Sequence, residues 1–239
     1  VRPEDLQDAI KGMKAIGIQG FNVTIPHKTD IMPFLDKIDS LAAEIGAINT
    51  VKLEGGEYVG YNTDGLGFVK GIKEQLQSSL ADQKVLIVGA GGAARGIYYS
   101  LLQEGARHVD IANRTISKGE QLIAGKTSET KSVVFSIAEA EKILSEYTLI
   151  INTTSIGMHP NINESPLSLK NMKPLALVSD IIYNPLQTKL LKEAANKGAL
   201  IQNGIPMFVH QGALAFQLWT GKQPDTERMR KIVLTKLGG

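Results

Sequence analysis

Two loops and a glycine-rich turn hold the residues of this 239-residue chain whose types and spacing could do chemistry. In the first loop Asn22, Thr24, His27 and Lys28 follow a short apolar alternation, so four polar side chains gather at the end of one strand, where α/β sheets keep their ligands. In the second, Asn62-Thr63-Asp64-Gly65 ends a strand and opens a helix. Thr63 or Asp64 is well placed to cap that helix, and Asp64 is equally a carboxylate delivered to a strand end. The turn is Gly89-Ala90-Gly91-Gly92-Ala93-Ala94, after the apolar run Val85-Leu86-Ile87-Val88. Gly89 permits a sharp turn, Gly91 lets a phosphate approach the backbone, and Ala94 takes the third small position, where helix packs close to strand. The bare N–H groups of such a helix start bind anions, although the same glycines also serve a ligand-free turn.

In a dinucleotide unit that prefers NAD, an acidic residue about 20 positions past the glycines takes the ribose hydroxyls. Here that point reads Ala112-Asn113-Arg114-Thr115. Asp110 comes two residues too early and is expected to point into the sheet. Arg114 and Lys118 offer a guanidinium and an ammonium to a 2′-phosphate, so NADP is the expected cofactor; a basic pair on a solvated helix start is the alternative.

Around these groups the chain must supply an α/β scaffold. Residues 3–16 carry a helical apolar stripe, residues 17–25 alternate as a strand ending at Pro26, and residues 31–45 form a second helical pattern stopped by Gly46. Residues 48–61 read as a hairpin around Gly55-Gly56, and Phe68, Ile72 and Leu76 mark the helix after Asp64. The polar stretch 78–83 is the clearest boundary. Beyond it, apolar strands at 84–88, 108–112, 133–135, 149–151, 177–182 and 199–201 alternate with helix-length segments, which predicts a doubly wound parallel sheet. Two helices close the chain, the first carrying Phe208, Ala215, Phe216 and Trp219 and expected to return to the first lobe. The predicted fold is thus α/β in two lobes: a mixed α/β substrate domain (1–79 plus 207–239) and a Rossmann NADP-binding domain (80–206), with the ligand cleft between them.

Composition narrows the partners. With 26 basic and 24 acidic residues and a net charge of +2, nothing argues for nucleic acid or an anionic membrane. The absence of cysteine removes disulfides, thiolate metal sites and a cysteine nucleophile, and four scattered histidines form no ligand pattern, so no metal is expected. No signal peptide or membrane span is legible. A cytoplasmic small-molecule protein is expected, with a homodimer left open.

Taken together, Asn22-Val23-Thr24-Ile25-Pro26-His27-Lys28, Gly46-Ala47-Ile48-Asn49-Thr50, Gly60-Tyr61-Asn62-Thr63-Asp64-Gly65, the glycine turn, Asn113-Arg114-Thr115 and 203–211 resemble the shikimate dehydrogenase family from end to end. The loops 152–158 and 180–185 look like that family's later cofactor-side and substrate-side loops. The resemblance implies NADPH-dependent reduction of 3-dehydroshikimate to shikimate, on the way to chorismate and the aromatic amino acids. It makes Lys28 the catalytic acid/base and Asp64 its partner. Asn22, Thr24, Asn49, Asp64, Tyr183 and Gln211 would contact substrate. Gly89, Ala90, Gly91, Gly92, Ala93, Asn113, Arg114, Thr115, Lys118, Thr153, Ile181, Gly204 and Met207 would contact NADP. The family pattern starts with a further strand and helix carrying a Ser-x-Ser for the substrate carboxylate, and Val1 falls after it; the expectation is a truncated polypeptide lacking that strand and part of the substrate site. Competing readings are a quinate/shikimate dehydrogenase of broader specificity and a non-catalytic NADP-binding regulatory protein.

Overall fold

The computed structural model describes residues 1–76, 78–126 and 129–237; of the substrate-domain segments expected above, residues 77, 238 and 239 lie outside the described residues. A short 3-10 turn at Pro3–Asp5 leads into α1 (Leu6–Ala15), whose Leu6 and Ile10 are buried. The first strand, β1 (Gly20–Asn22), is shorter than the alternation over 17–25 suggests. Ile25 is 82% exposed and belongs to the loop, because pairing ends where Val23 donates its N–H to the carbonyl of Asn49.

The helix expected over 31–45 is broken into pieces. After α2 (His27–Asp30), Pro33 sits in a 3-10 turn, Met32–Phe34. The chain then extends as β2 (Lys37–Ile38), and α3 (Ser40–Ile45) starts only where Asp39 caps it by accepting the N–H groups of Leu41 and Ala42. The apolar spacing is real, but Pro33 and the Asp39 cap divide it. Gly46 ends α3 in the left-handed conformation, as expected. The hairpin of β3 (Thr50–Glu54) and β4 (Glu57–Tyr61) turns at Gly55-Gly56, and the first sheet has the order β1-β3-β4-β2, antiparallel except for the β2–β4 pair.

Next comes α4 (Asp64–Lys73), the element both lobes are built on. It packs against α5 (Gly92–Gln103) on one side and α9 (Ile205–Thr220) on the other. It fits there because a Cβ on Gly65 would lie 2.2 Å from the Gly96 carbonyl oxygen, and one on Gly67 would lie 2.6 Å from the Gln211 nitrogen. The apolar core is therefore continuous across the lobes. Leu41, Ile45, Phe68 and Ile72 of the first join Val85, Ile87, Ile97 and Val109 of the second.

The second sheet is formed by β5 (Lys84–Val88), β6 (His108–Ala112), β7 (Val134–Phe135), β8 (Leu149–Asn152), β9 (Leu177–Asp180) and β10 (Leu200–Gln202). All its pairs are parallel and the order is β10-β9-β8-β5-β6-β7, the doubly wound arrangement that alternating strands and helices predict. Along β5, Val85 and Ile87 face the shared core while Leu86 and Val88 face the opposite layer, so the unbroken apolar run is buried on both sides. That layer is covered by α7 (Ile137–Lys142) and α8 (Lys189–Asn196); α6 (Ile116–Ala124) flanks β6 and β7. The strand expected over 177–182 ends at Asp180, and Ile181 and Ile182 begin a loop.

The closing helices return to the first lobe as expected. Trp219 of α9 donates its indole N–H to the Val51 carbonyl at 2.9 Å, and α10 (Thr226–Lys236) packs on α9. A clamp fixes this return: Glu74, at the end of α4, lies 2.7 Å from His210 of α9 and accepts from Arg230 of α10 at 2.7 Å. Burial pushes the Glu74 carboxyl up, but the bonds from Arg230 and His210 outweigh it and hold the group below its ordinary value of 4.5. A depressed folded-state value stabilises the fold above the ordinary carboxylate range, and that gain is lost as pH falls through the depressed value. Glu74→Gln should therefore cost about 1 kcal/mol near neutral pH, a figure discounted because the side chain is over a third exposed. The gap to the parent should narrow as pH falls below the ordinary carboxylate range and through the depressed value, as urea denaturation at neutral and at acid pH would show.

Candidate active site

Lys28, in the single turn of α2, donates to Asp64 Oδ2 at 2.7 Å. Neither Thr63 nor Asp64 caps α4 with its side chain. Asn62 does that work, its Oδ1 accepting the Asp64 N–H at 3.1 Å, so the Asp64 carboxylate is left for the lysine. Asp64 is also the first residue of α4, at the end of the helix where the backbone N–H groups attract a negatively charged side chain. The ammonium carries three N–H groups and spends one on Asp64.

Thr63 turns inward instead, to Asn49. The Asn49 Oδ1 accepts the Thr63 backbone N–H at 2.8 Å and the Thr50 hydroxyl at 3.0 Å, while Nδ2 donates to the Thr63 hydroxyl at 2.9 Å. A backbone N–H only donates, so Oδ1 is held on that side and Nδ2 keeps one hydrogen for the cleft. Asn22 Nδ2 reaches the Asn49 carbonyl at 3.2 Å and the Thr50 hydroxyl at 3.3 Å, tying β1 to β3.

These groups open onto a cleft of about 610 Å³ between the lobes. Every substrate position expected from the sequence lines it: Asn22, Thr24, Asn49, Asp64, Tyr183 and Gln211, together with Lys28. So do Ile181, Gly204 and Met207 from the cofactor set. Val23, Ile25 and Phe208 line it without having been singled out; the Phe208 ring lies 5.4 Å from that of Tyr183.

A second groove, of about 400 Å³, runs over the start of α5 and takes in Ala90, Gly91, Gly92 and Lys118. Gly91 occupies the cap position of α5 with no side-chain cap bond, and neither Gly91 nor Gly92 has anything within 4 Å of where a Cβ would stand, so this helix start is open to a ligand. The groove also holds Arg95, one helical turn past Gly91. Its guanidinium donates across the lobes to the Glu44 carbonyl at 3.1 Å and lies 5.8 Å from the Tyr99 ring. The i, i+4 spacing from Gly91 could have flagged it in the sequence.

The other expected cofactor positions line neither cavity, though they lie around the same turn. Gly89 has φ +111°, and a Cβ there would stand 2.6 Å from Thr153 Oγ1. That hydroxyl is engaged in the fold, donating to the Val88 carbonyl at 2.7 Å. Ala93 is in the first turn of α5. Asn113 donates to the Thr115 carbonyl at 2.8 Å, Thr115 occupies the cap position of α6, and Arg114 is exposed with no carboxylate partner among the described residues. Asp110 does point into the sheet: it is buried and accepts from the Val133 N–H and the Tyr147 hydroxyl.

Behind the cleft, fully buried Asp180 ties three segments together. It accepts from Asn152 Nδ2 at 3.1 Å, the Ile182 N–H at 3.1 Å and the Thr188 hydroxyl at 2.7 Å. Burial pushes its carboxyl up, against the pull of these bonds. The loop it anchors carries Ile181 and Tyr183 into the cleft.

A glycine turn over an open helix start on one lobe, together with a lysine–carboxylate pair in the cleft beside the other, defines a two-lobed, dinucleotide-dependent dehydrogenase. Family profiles match in three parts: the shikimate dehydrogenase substrate binding domain over residues 1–51, shikimate/quinate 5-dehydrogenase over 71–182, and the shikimate 5′-dehydrogenase C-terminal domain over 204–234. A shikimate dehydrogenase (NADP(+)) of Geobacillus sp. (strain WCH70) is 56% identical, the match covering 100% of this chain and 86% of that protein. The chain belongs to the shikimate dehydrogenase family. Among solved structures, the Listeria monocytogenes shikimate 5-dehydrogenase in complex with shikimate and NAD superposes with a TM-score of 0.93 at 33% identity, covering 98% of this chain and 83% of the other. The Thermus thermophilus enzyme in complex with NADP(H) and shikimate gives 0.84 at 34% identity, covering 97% and 84%.

Proposed function

We propose that this chain catalyses the reversible, NADPH-dependent reduction of 3-dehydroshikimate to shikimate, serving chorismate and aromatic amino-acid synthesis. The observation that carries the reading is the Lys28–Asp64 pair, 2.7 Å apart, in a cleft lined by every substrate position expected from the sequence. Likeness to the named shikimate dehydrogenases supports the substrate and the cofactor. The open start of α5, the turn at Gly89 and the unengaged Arg114 fit a phosphorylated dinucleotide, which supplies a hydride when bound.

The chain's own residues then manage charge and protons. Reduction turns the substrate carbonyl oxygen into an oxyanion, which the Lys28 ammonium stabilises and protonates. Asp64 orients the ammonium and accepts from a neighbouring substrate hydroxyl. Asn49 donates its remaining amide hydrogen, and Asn22, Thr24, Tyr183 and Gln211 hold the other hydroxyls and the carboxylate. Gly89 to Ala93, Asn113, Arg114, Thr115, Lys118, Thr153, Ile181, Gly204 and Met207 form the NADP side. In this reading the substrate lobe is 1–79 plus 207–239 and the cofactor lobe 80–206. The protein works in the cytoplasm on a small molecule without nucleic-acid or membrane partners, and a homodimer is compatible with it. No helix among the described residues is long and apolar enough to cross a membrane.

Following NADPH absorbance with 3-dehydroshikimate and 3-dehydroquinate tests the assignment. Fast consumption with the first and little with the second is expected; comparable rates would move the chain to the broader quinate reading, and no consumption with either would make it non-catalytic. Arg114→Ala should weaken NADPH by about 1–3 kcal/mol and leave NADH nearly unaffected, since only the 2′-phosphate takes a charged hydrogen bond from the guanidinium. Fluorescence titration with the two nucleotides measures this, and equal losses would remove Arg114 from the phosphate site.

A further inference from the structure

Tyr183 and Phe208 both line the cleft, one from the loop after β9 and the other from the start of α9. The backbone of these two segments forms one frame. The Gly204 N–H donates to the Ile182 carbonyl at 3.0 Å, and Asn203 Nδ2 donates to the Leu186 carbonyl at 3.1 Å while its Oδ1 accepts the Ile205 N–H at 3.1 Å. A Cβ on Gly204 would stand 2.1 Å from the Ile181 carbonyl oxygen, so only glycine lets loop and helix start lie this close. The chain is therefore tied to the start of α9 on both sides of Tyr183.

The Tyr183 side chain is held differently. It is 42% exposed, and its hydroxyl makes no hydrogen bond among the described residues. Its ring lies against that of Phe208, centroids 5.4 Å apart and planes at 46°, at a separation where aromatic pairs attract. Phe208 is itself 43% exposed and belongs to none of the apolar cores, so truncating it removes little from the fold. Its carbonyl accepts from Gln211 Nε2 at 3.0 Å, a bond to the backbone that any residue at 208 keeps. A change of the ring thus acts on Tyr183 and leaves the Gln211 amide in place.

We infer that Phe208 is a positioning residue for substrate binding, its ring holding the Tyr183 side chain in the conformation that presents the hydroxyl to the substrate. The inference rests on Tyr183 contacting substrate, as proposed above. A side chain free to exchange between rotamers is competent for only part of the time, and apparent affinity falls by that fraction. The worth of an aromatic pair sets the expected loss at roughly three- to tenfold.

A double-mutant cycle on the full chain tests it, with shikimate affinity read by calorimetric titration and kcat and KM for 3-dehydroshikimate measured alongside. Tyr183→Phe keeps the ring pair and removes the hydroxyl, and should weaken shikimate by roughly tenfold. Phe208→Ala should weaken it by roughly three- to tenfold and raise KM to match, with kcat within about twofold of the parent. Phe208→Tyr restores a ring and should recover most of that loss. In the Tyr183→Phe background, Phe208→Ala should cost nothing measurable further, because the ring it frees no longer carries the hydroxyl. Should Phe208→Ala fail to fold, Phe208→Leu, which keeps apolar bulk without a ring, runs the same cycle. Equal losses in the two backgrounds would show Phe208 touching substrate directly, and parental affinity in the variant at 208 would show a tyrosine that needs no support. Either result overturns the inference and leaves the proposed reaction standing. Undiminished affinity in Tyr183→Phe also overturns it, and in that case by removing Tyr183 from the substrate site.

Discussion

Lys28→Ala is expected to cut turnover by roughly 10²–10⁴-fold, the usual worth of a positioned acid/base, while NADPH binding stays intact. The lysine lines the cleft and the glycine turn lines the separate groove over α5, and the ammonium's bond is to Asp64, so cofactor affinity has little reason to move. Folding should survive as well. The pair is partly exposed, with side-chain exposures of 30% and 24%, and its rupture costs about 1 kcal/mol rather than the several that a fully buried pair would. Methionine at 28 should behave like alanine, because the carbon stem is kept and only the proton carrier is lost. Steady-state kinetics alongside fluorescence titration of NADPH separates the outcomes: a turnover loss matched by an equal loss of cofactor affinity would point to a structural role for Lys28.

The largest stability effect is expected at Asp180. Its replacement by alanine strands the Asn152 amide, the Ile182 N–H and the Thr188 hydroxyl in a fully buried place. Each stranded donor costs about 1–3 kcal/mol, partly offset because a buried charge is also removed, which leaves a net loss of roughly 3–5 kcal/mol. Thr188 also caps α8 by accepting the Leu191 N–H, so loosening extends to that helix. Asp180→Asn keeps the shape and one acceptor and should lose less. Urea denaturation of both variants decides it; an alanine variant within about 1 kcal/mol of the parent would mean that the three donors find other partners.

How far the sequence could be read depended on whether the information was local. The second sheet was legible because continuous apolar strands and a glycine turn are dictated residue by residue, and Gly89 and Gly46, expected as a sharp turn and a helix stop, both adopt a positive φ. The first lobe was harder. The helical spacing over 31–45 was interrupted by Pro33 and by the Asp39 cap, and the two-residue strand β2 exists only through its pairing with β4. Most of the site's positions came from motif resemblance, and the structure gathers the substrate set in one cleft. What the sequence hid were particular pairings: Thr63 orienting Asn49, Asn62 capping in place of Asp64, and Gly65 and Gly67 making room for α5 and α9. None of these leaves a periodic trace.

The central claim is that Lys28 and Asp64 act as one proton-transfer unit. A double-mutant cycle of Lys28→Ala and Asp64→Asn on kcat and KM for 3-dehydroshikimate tests it most directly. Asp64→Asn should slow turnover and weaken substrate binding together, and the double variant should be little worse than Lys28→Ala alone, since groups serving one step do not lose their effects independently. A double variant whose defect equals the product of the two single defects would contradict the claim and reduce Asp64 to a carboxylate that happens to begin α4.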